Sequence, residues 1–474
     1  MTDMDTIPLT IAQARRDLDD KKYSAHELAE ACLRRAEEKK AHNAYLEIFD
    51  DVGQQAAAAD ALIQSGKGSA LLGIPLSVKD NILISSRRVS AGSKILEGYQ
   101  APYDATVVKK LREAGGVFLG RTNMDEFAMG SSTENSAFGV VTNPYDAARV
   151  SGGSSGGSAA SVALGIALGS IGSDTGGSVR QPASLCGIVG LKPTYGSVSR
   201  YGLIAMGSSF DQIGPLAKTV EDTELLFNAI KGNDPLDSTS SPKKLYREVS
   251  EMPKRIGVPR AFFGEGVDED ILKNFEETLR ILRESGYNII DIDLPYAEYA
   301  LPAYYIIIPA EVSTNLARFD GVRYGLHVEG NNVVEEYSLS RSKGFGPEVR
   351  RRILLGTHVL SAGYYDAYYT KAQAVRKLIS RDYNEAFKKI DLIATPTSPT
   401  PAFKIGEKTD PLSMYRSDIF TVTANLTGMP ALSVPSGFVA REKKKLPVGF
   451  QLMAPLFHES WLFQAGKDIE AGVK

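Results

Sequence analysis

Residues 151–190 constrain this chain more than any other stretch. Eleven of them are glycine, nine are serine, and Asp174 and Arg180 are the only charges. A flexible linker has such a composition, but linkers do not interleave Val, Leu and Ile as SAASVALGIALGSIG (158–172) does. Small residues in an apolar run predict a tightly packed core helix whose backbone turns sharply at both ends. Two glycine-rich turns flank the run, SGGSSGGS (151–158) with Ser154 and GSDTGGSVRQPA (172–183) with Ser178.

A serine in such a turn can be a nucleophile, provided a base lies nearby and donors face the developing oxyanion. In GSDTGGSVR the paired glycines let the amides of Thr175, Gly176, Gly177 and Ser178 converge on one oxygen. The plainer alternative is a glycine turn with an N-capping serine. In the first turn a G-x-S-x-G match centres on Ser155. A nucleophile elbow needs a strand before it, however, and NPYDAARV (143–150) reads as a loop. His458, the late histidine suited by chain order, has no supporting context, and the lysine-containing phosphate-loop pattern is absent.

Lys79 supplies the other candidate base. It follows Ile74, Pro75, Leu76 and Val78 in GIPLSVKDN (73–81), an apolar strand-like run. To serve near pH 7 its pKa must drop by about 3 from roughly 10.4, about 4 kcal/mol against the charged form. Burial can supply that. Asp80 would oppose it, but strand alternation turns the two side chains to opposite faces.

The rest of the chain sets bounds. Its 474 residues, 43% hydrophobic and 23% charged, fit two or three globular domains or one large core with insertions. A net charge of −3 does not suit a chain that grips a nucleic-acid backbone by itself. Cys32 and Cys186 are too few for a disulfide framework and read as buried, reduced thiols. The start MTDMDTIPLT has no signal-peptide pattern, and the apolar run 159–172 is too short to span a bilayer. These features predict a reducing, aqueous, cytoplasmic setting. Histidines 26, 42, 327, 358 and 458 lack ligand spacing, so no metal site is expected in this chain.

Organisation follows the hydrophobic periodicity. Residues 1–70 read as helices, with Ser24 and Glu27 forming a capping box and a further helix over 51–65. Strands over 73–80 and 115–121 enclose a helix over 104–115, which argues for an α/β sheet. A core region over 71–230 is followed by a surface linker over 231–245, rich in Pro, Ser, Asp and Lys. Residues 246–474 then form a second α/β region. It has strands over 254–262 and 287–295, a helix over 268–286, a helical cap over 300–390, and strand-like pieces over 391–403 and 446–455. Its last strands are expected to rejoin the first sheet.

The pattern G-G-S-S-G-G-S followed by D-T-G-G-S-x-R-x-P resembles the amidase signature, and the likeness covers essentially the whole chain. It implies an α/β fold with a central mixed, twisted sheet covered by helices on both sides. It also implies Ser178 as nucleophile, Ser154 as bridging serine, Lys79 as ultimate base, and an oxyanion hole from Thr175 to Ser178. Further segments, among them RTNMDEFAMGSSTENSAFG (121–139) and MYRSDIFTVTANLTGMPALSVP (414–435), resemble the A subunits of tRNA-dependent amidotransferases. That likeness implies hydrolysis of glutamine, with ammonia passing to a B subunit while a C subunit wraps the junction. The B subunit would hold the aminoacyl-tRNA and use ATP and magnesium to amidate Glu-tRNA(Gln) or Asp-tRNA(Asn). No cofactor is implied for this chain, and no membrane.

Free glutamine carries an α-ammonium and an α-carboxylate, so its pocket needs an acid and a base, preferably arginine. By resemblance Arg352 would hold the carboxylate and Asp418 the ammonium, with Tyr305 a third contact and Met129, Gly130 and Ser131 lining the site. Arg350 or Arg351 could replace Arg352 in this motif, and Tyr304 could replace Tyr305. A stand-alone amidase for small neutral amides is the alternative and would need neither charge. A non-catalytic glycine-loop binding module is the third reading.

Overall fold

The structure, a computed structural model, describes residues 10–242, 245, 252–264 and 266–473. Strand β1 is Tyr45–Ile48, β2 Pro75–Lys79, β3 Val117–Thr122, β4 Gly169–Asp174, β5 Val189–Lys192 and β6 Gln212–Ala217. The later strands are β7 Arg255–Val258, β8 Asn288–Asp291, β9 Leu392–Pro396, β10 Ala431–Arg441 and β11 Lys444–Met453. All join one sheet in the order β1-β3-β2-β4-β6-β5-β10-β11-β9-β7-β8. Pairing is mixed: β2 runs parallel to β3 and β4, β7 runs parallel to β8 and β9, and the remaining pairs are antiparallel.

Every residue of β2, β4, β5, β6 and β9 is buried, as a sheet covered on both faces requires. Side-chain alternation assigns the two covers. Leu392 and Ala394 join one apolar cluster and Ile393 between them joins another; Leu452 and Met453 divide in the same way. The first cluster includes residues of the helices Ile11–Asp19, Ala25–Glu38, Val220–Ile230, Glu269–Glu284 and Glu459–Gly472. The second is built on the helix Ala300–Asn315 and its neighbours. The molecule is thus a mixed α/β sheet flanked by helices.

Strands β2 and β4 are adjacent and parallel, with Val78 opposite Ile171. Their carboxyl ends therefore coincide, which brings Lys79 to the turn that follows Asp174. Open α/β sheets commonly form their sites at such strand ends.

One expectation is corrected here. The run 158–172 does not form a single helix. It divides into the helix Gly156–Ala163 and the strand β4, with Gly165 between them in a left-handed conformation. Small residues suit a strand that must fit between two covered faces as well as they suit a packed helix. The strands β1, β5, β6 and β10 were not singled out from sequence. The capping box at Ser24 and Glu27 is formed, and the helix expected over 268–286 spans Glu269–Glu284. Of the linker expected over 231–245, residues 243 and 244 lie outside the described residues, as do 1–9 of the N-terminal region. The earlier part is tied down: Asp234 accepts from Ser199 and Thr106 hydroxyls, and the Asp237 carboxylate accepts from the Arg200 amide. Among the described residues no helix is long and apolar enough to cross a membrane.

The helix Pro347–Val359 packs along Ala300–Asn315 at a contact that only glycine permits. A Cβ at Gly356 would collide with the Pro309 carbonyl. One turn earlier on each helix stand Arg352 and Tyr305. We expect Gly356→Ala to destabilise the protein by about 1–3 kcal/mol through overpacking. The control Gly68→Ala, which meets open space, should stay within about 0.5 kcal/mol. Thermal melting of the two variants checks this.

Candidate active site

Lys79 is fully buried at the end of β2, and its Nζ faces hydroxyls on every side described. It lies 2.7 Å from Ser154 Oγ, 2.8 Å from Ser155 Oγ and 3.0 Å from Ser173 Oγ, with the Ser173 carbonyl at 3.3 Å. Burial pulls its pKa down to about 7, against the opposing pull of the Asp125, Asp174 and Asp211 carboxylates. None of those three touches Nζ. Asp80 does face away, accepting from Arg121 at 2.7 Å and from the Ser90 and Gly92 amides.

The two glycine turns are stitched together. The Ser155 amide donates to the Ser178 carbonyl at 3.1 Å, and the Asp125 amide donates to the Ser154 carbonyl at 3.3 Å. The Gly153–Ser154 peptide is cis. Close packing explains the glycines: a Cβ at Gly153 would strike the Asp125 carboxylate, and one at Gly177, where φ is +136°, would strike Thr421. Ser178 remains 7% exposed while Ser154 is sealed, so Ser178 is the serine that a substrate can reach.

Asp174 anchors the second turn. Its carboxylate accepts from the Gly177 amide at 3.0 Å, the Val179 amide at 3.1 Å, Asn425 Nδ2 at 2.9 Å and the Arg180 guanidinium at 2.9 and 3.0 Å. Burial alone would raise its pKa, but the Arg180 guanidinium holds it down at about 2. The Gly177 amide is committed to Asp174, which leaves Thr175, Gly176 and Ser178, whose amides have no acceptor among the described residues. The Thr175 hydroxyl donates to Asp211 at 2.6 Å and fixes the turn from the other side.

A second polar cluster lies against this turn, since the Tyr304 hydroxyl abuts Gly176. Asp418 Oδ2 accepts from Ser131 Oγ at 2.7 Å and from the Tyr305 hydroxyl at 3.1 Å. Burial raises its pKa to about 7, offset in part by those two bonds and by the Arg352 charge. Arg352 stands between aromatic faces, its Cζ 5.4 Å from both the Tyr305 and Tyr415 ring centroids. Burial distinguishes the three arginines: the Arg352 side chain is 4% exposed, that of Arg351 is 44% exposed, and Arg350 is exposed. Tyr305 reaches Asp418, whereas Tyr304 packs on Phe210 and Gly176.

Ser131 joins this cluster, but Met129 does not. Its side chain is sealed in the second apolar core and its carbonyl accepts from Asn135. Gly130 is needed for its closeness to Asp125, where a Cβ would collide. Gln181, Glu348 and Tyr415 were missed from sequence. Gln181 bridges the loops, accepting from the Gly153 amide at 3.0 Å and donating to the Ser131 carbonyl at 2.9 Å. Its position one residue after Arg180 was the only available signal.

The arrangement combines a buried lysine whose pKa is lowered to about 7, a set of hydroxyls around it, three amides without an acceptor among the described residues, and a cluster that contains the Arg352 guanidinium and the Asp418 carboxylate. That equipment suits nucleophilic cleavage of an amide borne by a zwitterion.

Comparisons with known proteins agree. The family model described as Amidase matches residues 27–463. The A subunit of the glutamyl-tRNA(Gln) amidotransferase of Koribacter versatilis (strain Ellin345) is 51% identical, over 98% of this chain and 99% of that protein. Its counterpart in Chloroflexus aggregans is 52% identical, over 97% and 95%. The crystal structure of the glutamyl-tRNA(Gln) amidotransferase A subunit from Thermotoga maritima superposes with a TM-score of 0.80 at 41% identity, covering 99% of this chain and 95% of that one. The chain belongs to the amidase family and, within it, to the group of glutamyl-tRNA(Gln) amidotransferase A subunits.

Proposed function

We propose that the chain is the glutamine-hydrolysing subunit of a tRNA-dependent amidotransferase. The observation that carries this reading is a buried Lys79 lowered to about 7, with a buried cluster containing both Arg352 and Asp418 against the same glycine turn. A small neutral amide would use neither charge, and the group of relatives supports the same assignment.

In this mechanism Ser178 Oγ attacks the side-chain carbonyl carbon of glutamine. Its proton passes to Ser154 Oγ as the Ser154 proton passes to neutral Lys79 Nζ, 2.7 Å away. The tetrahedral oxyanion lies against the amides of Thr175, Gly176 and Ser178, and each such donor is worth about 10²–10³ in rate. On collapse the C–N bond breaks. Lys79 returns its proton through Ser154 to the leaving nitrogen, which departs as ammonia. Water, deprotonated by the same relay, then attacks the γ-glutamyl ester of Ser178 and releases glutamate. Arg352 holds the α-carboxylate and Asp418 the α-ammonium, with Ser131 and Tyr305 orienting Asp418.

Ammonia then passes to a B subunit that holds the aminoacyl-tRNA. There ATP and magnesium activate the carboxyl of Glu-tRNA(Gln), or of Asp-tRNA(Asn), and a C subunit completes the heterotrimer. The working compartment is the cytoplasm.

The test is amide transfer by the chain co-expressed with its partner subunits, supplied with Glu-tRNA(Gln), ATP and either glutamine or ammonia. Ser178→Ala should lower glutamine-dependent transfer by about 10³-fold or more and leave ammonia-dependent transfer within about twofold. Loss of both activities in an intact complex would contradict the proposed division of labour. So would full glutamine-dependent transfer by the variant.

A further inference from the structure

Arg352 has company that neither the signature nor the proton relay calls for. Glu348, four residues earlier on the same helix, accepts from Arg352 Nε at 2.8 Å through Oε1. The same Oε1 accepts from the Tyr415 hydroxyl at 3.0 Å, and Oε2 is paired with Arg351. The Tyr415 ring stacks on Tyr305 with centroids 3.8 Å apart and planes 17° apart. Tyr305 in turn donates to Asp418, which stands three residues after Tyr415. A continuous set of contacts therefore runs from Arg352 through Glu348, Tyr415 and Tyr305 to Asp418.

The geometry has a chemical consequence. A guanidinium can fork a carboxylate side-on, through Nε and one Nη, or end-on, through both Nη atoms. Glu348 occupies Nε, and no described residue accepts from either Nη. Only the end-on fork remains for an incoming carboxylate. The aromatic rings beside the guanidinium restrict its swing, and the Tyr305–Asp418 bond fixes where the ammonium partner stands relative to that fork.

We propose that Glu348 and Tyr415 are positioning residues that make this site selective for an amide carrying a free α-carboxylate, by locking Arg352 in its end-on orientation at a set distance from Asp418. The proposal rests on the glutamine reading and deepens it. Neither residue touches the scissile amide. Their effect should therefore fall on substrate binding, with much less on the chemical step.

The experiment compares Glu348→Gln, Tyr415→Phe and Tyr415→Ala in the full chain with its partner subunits. Ammonia release is measured from L-glutamine and from L-glutamine methyl ester, which differ at the α-carboxylate alone. For Glu348→Gln we expect KM for glutamine to rise about tenfold with a smaller change in kcat. The preference for glutamine over the ester should fall by a similar factor. Tyr415→Phe keeps the stack and loses only the hydroxyl, so its effect should be about threefold, smaller than that of Tyr415→Ala. If kcat falls as KM rises and both substrates suffer alike, the residues are merely structural and the proposal is overturned. An unchanged KM in Glu348→Gln and Tyr415→Phe overturns it too. The two readings fail differently. An unsubstituted protein that shows no preference for glutamine removes the glutamine reading, and the clamp with it. A wild-type preference that survives both variants removes the clamp alone.

Discussion

The site depends on burying one ammonium group without giving it a counter-ion in direct contact. A lysine in water stays charged until about pH 10.4, and a touching carboxylate would hold it charged longer still. Here the nearest groups are the Ser154, Ser155 and Ser173 hydroxyls, which can donate to a neutral amine or accept from a charged one. Carboxylates do lie nearby, but each is engaged elsewhere. Asp125 accepts from the Thr133 and Asn135 amides, Asp211 from Thr175 and the Met206 amide, and Asp174 from Arg180. The serine richness of residues 151–178 follows from this need, and the glycine richness follows from the crowding it creates.

In the proposed mechanism, recognition and chemistry draw on different elements. The relay sits at the carboxyl ends of two parallel strands, β2 and β4, and its geometry is set by the sheet. The charged pocket comes from helices on the second core and from the turn that carries Asp418. Several bonds join the two: Gln181 spans the Ser154 and Ser131 loops, the Thr421 hydroxyl donates to the Gly176 carbonyl, Asn425 donates to Asp174, and Tyr304 backs Gly176. Such a division lets one proton relay serve different substrates by changing the helical side, in keeping with the general rule that function resides in sites grafted on folds.

The sequence made the chemical residues legible because two glycine turns and a buried strand end are local features. Lys79, Ser154 and Ser178 are each marked by immediate neighbours. The division of 158–172 into helix and strand was not legible, since the two structures share the same small, apolar composition and differ only in what Gly165 does. The bond from the Gly177 amide to Asp174 was not anticipated, although a short aspartate side chain readily folds back over its own turn. Arg352 could have been chosen over Arg350 and Arg351 from helical spacing alone: Val349, Arg352, Gly356 and Val359 form one buried stripe. Glu348 and Tyr415 carry no local mark, because their roles arise from a contact across 67 residues of chain.

The central claim is that Lys79 is a neutral base near pH 7. It is tested most directly by titrating the protein labelled with [13C]lysine at the ε-carbon and following the chemical shifts by NMR. The Lys79 signal is assigned by its loss in Lys79→Met, which separates it from the buried Lys192 and Lys218. The account predicts a midpoint near 7, with the amine losing its proton as pH rises through that value. A midpoint near the ordinary lysine value of about 10.4 would contradict it, because the amine would then be protonated throughout the working range and could not accept the proton that Ser154 passes on.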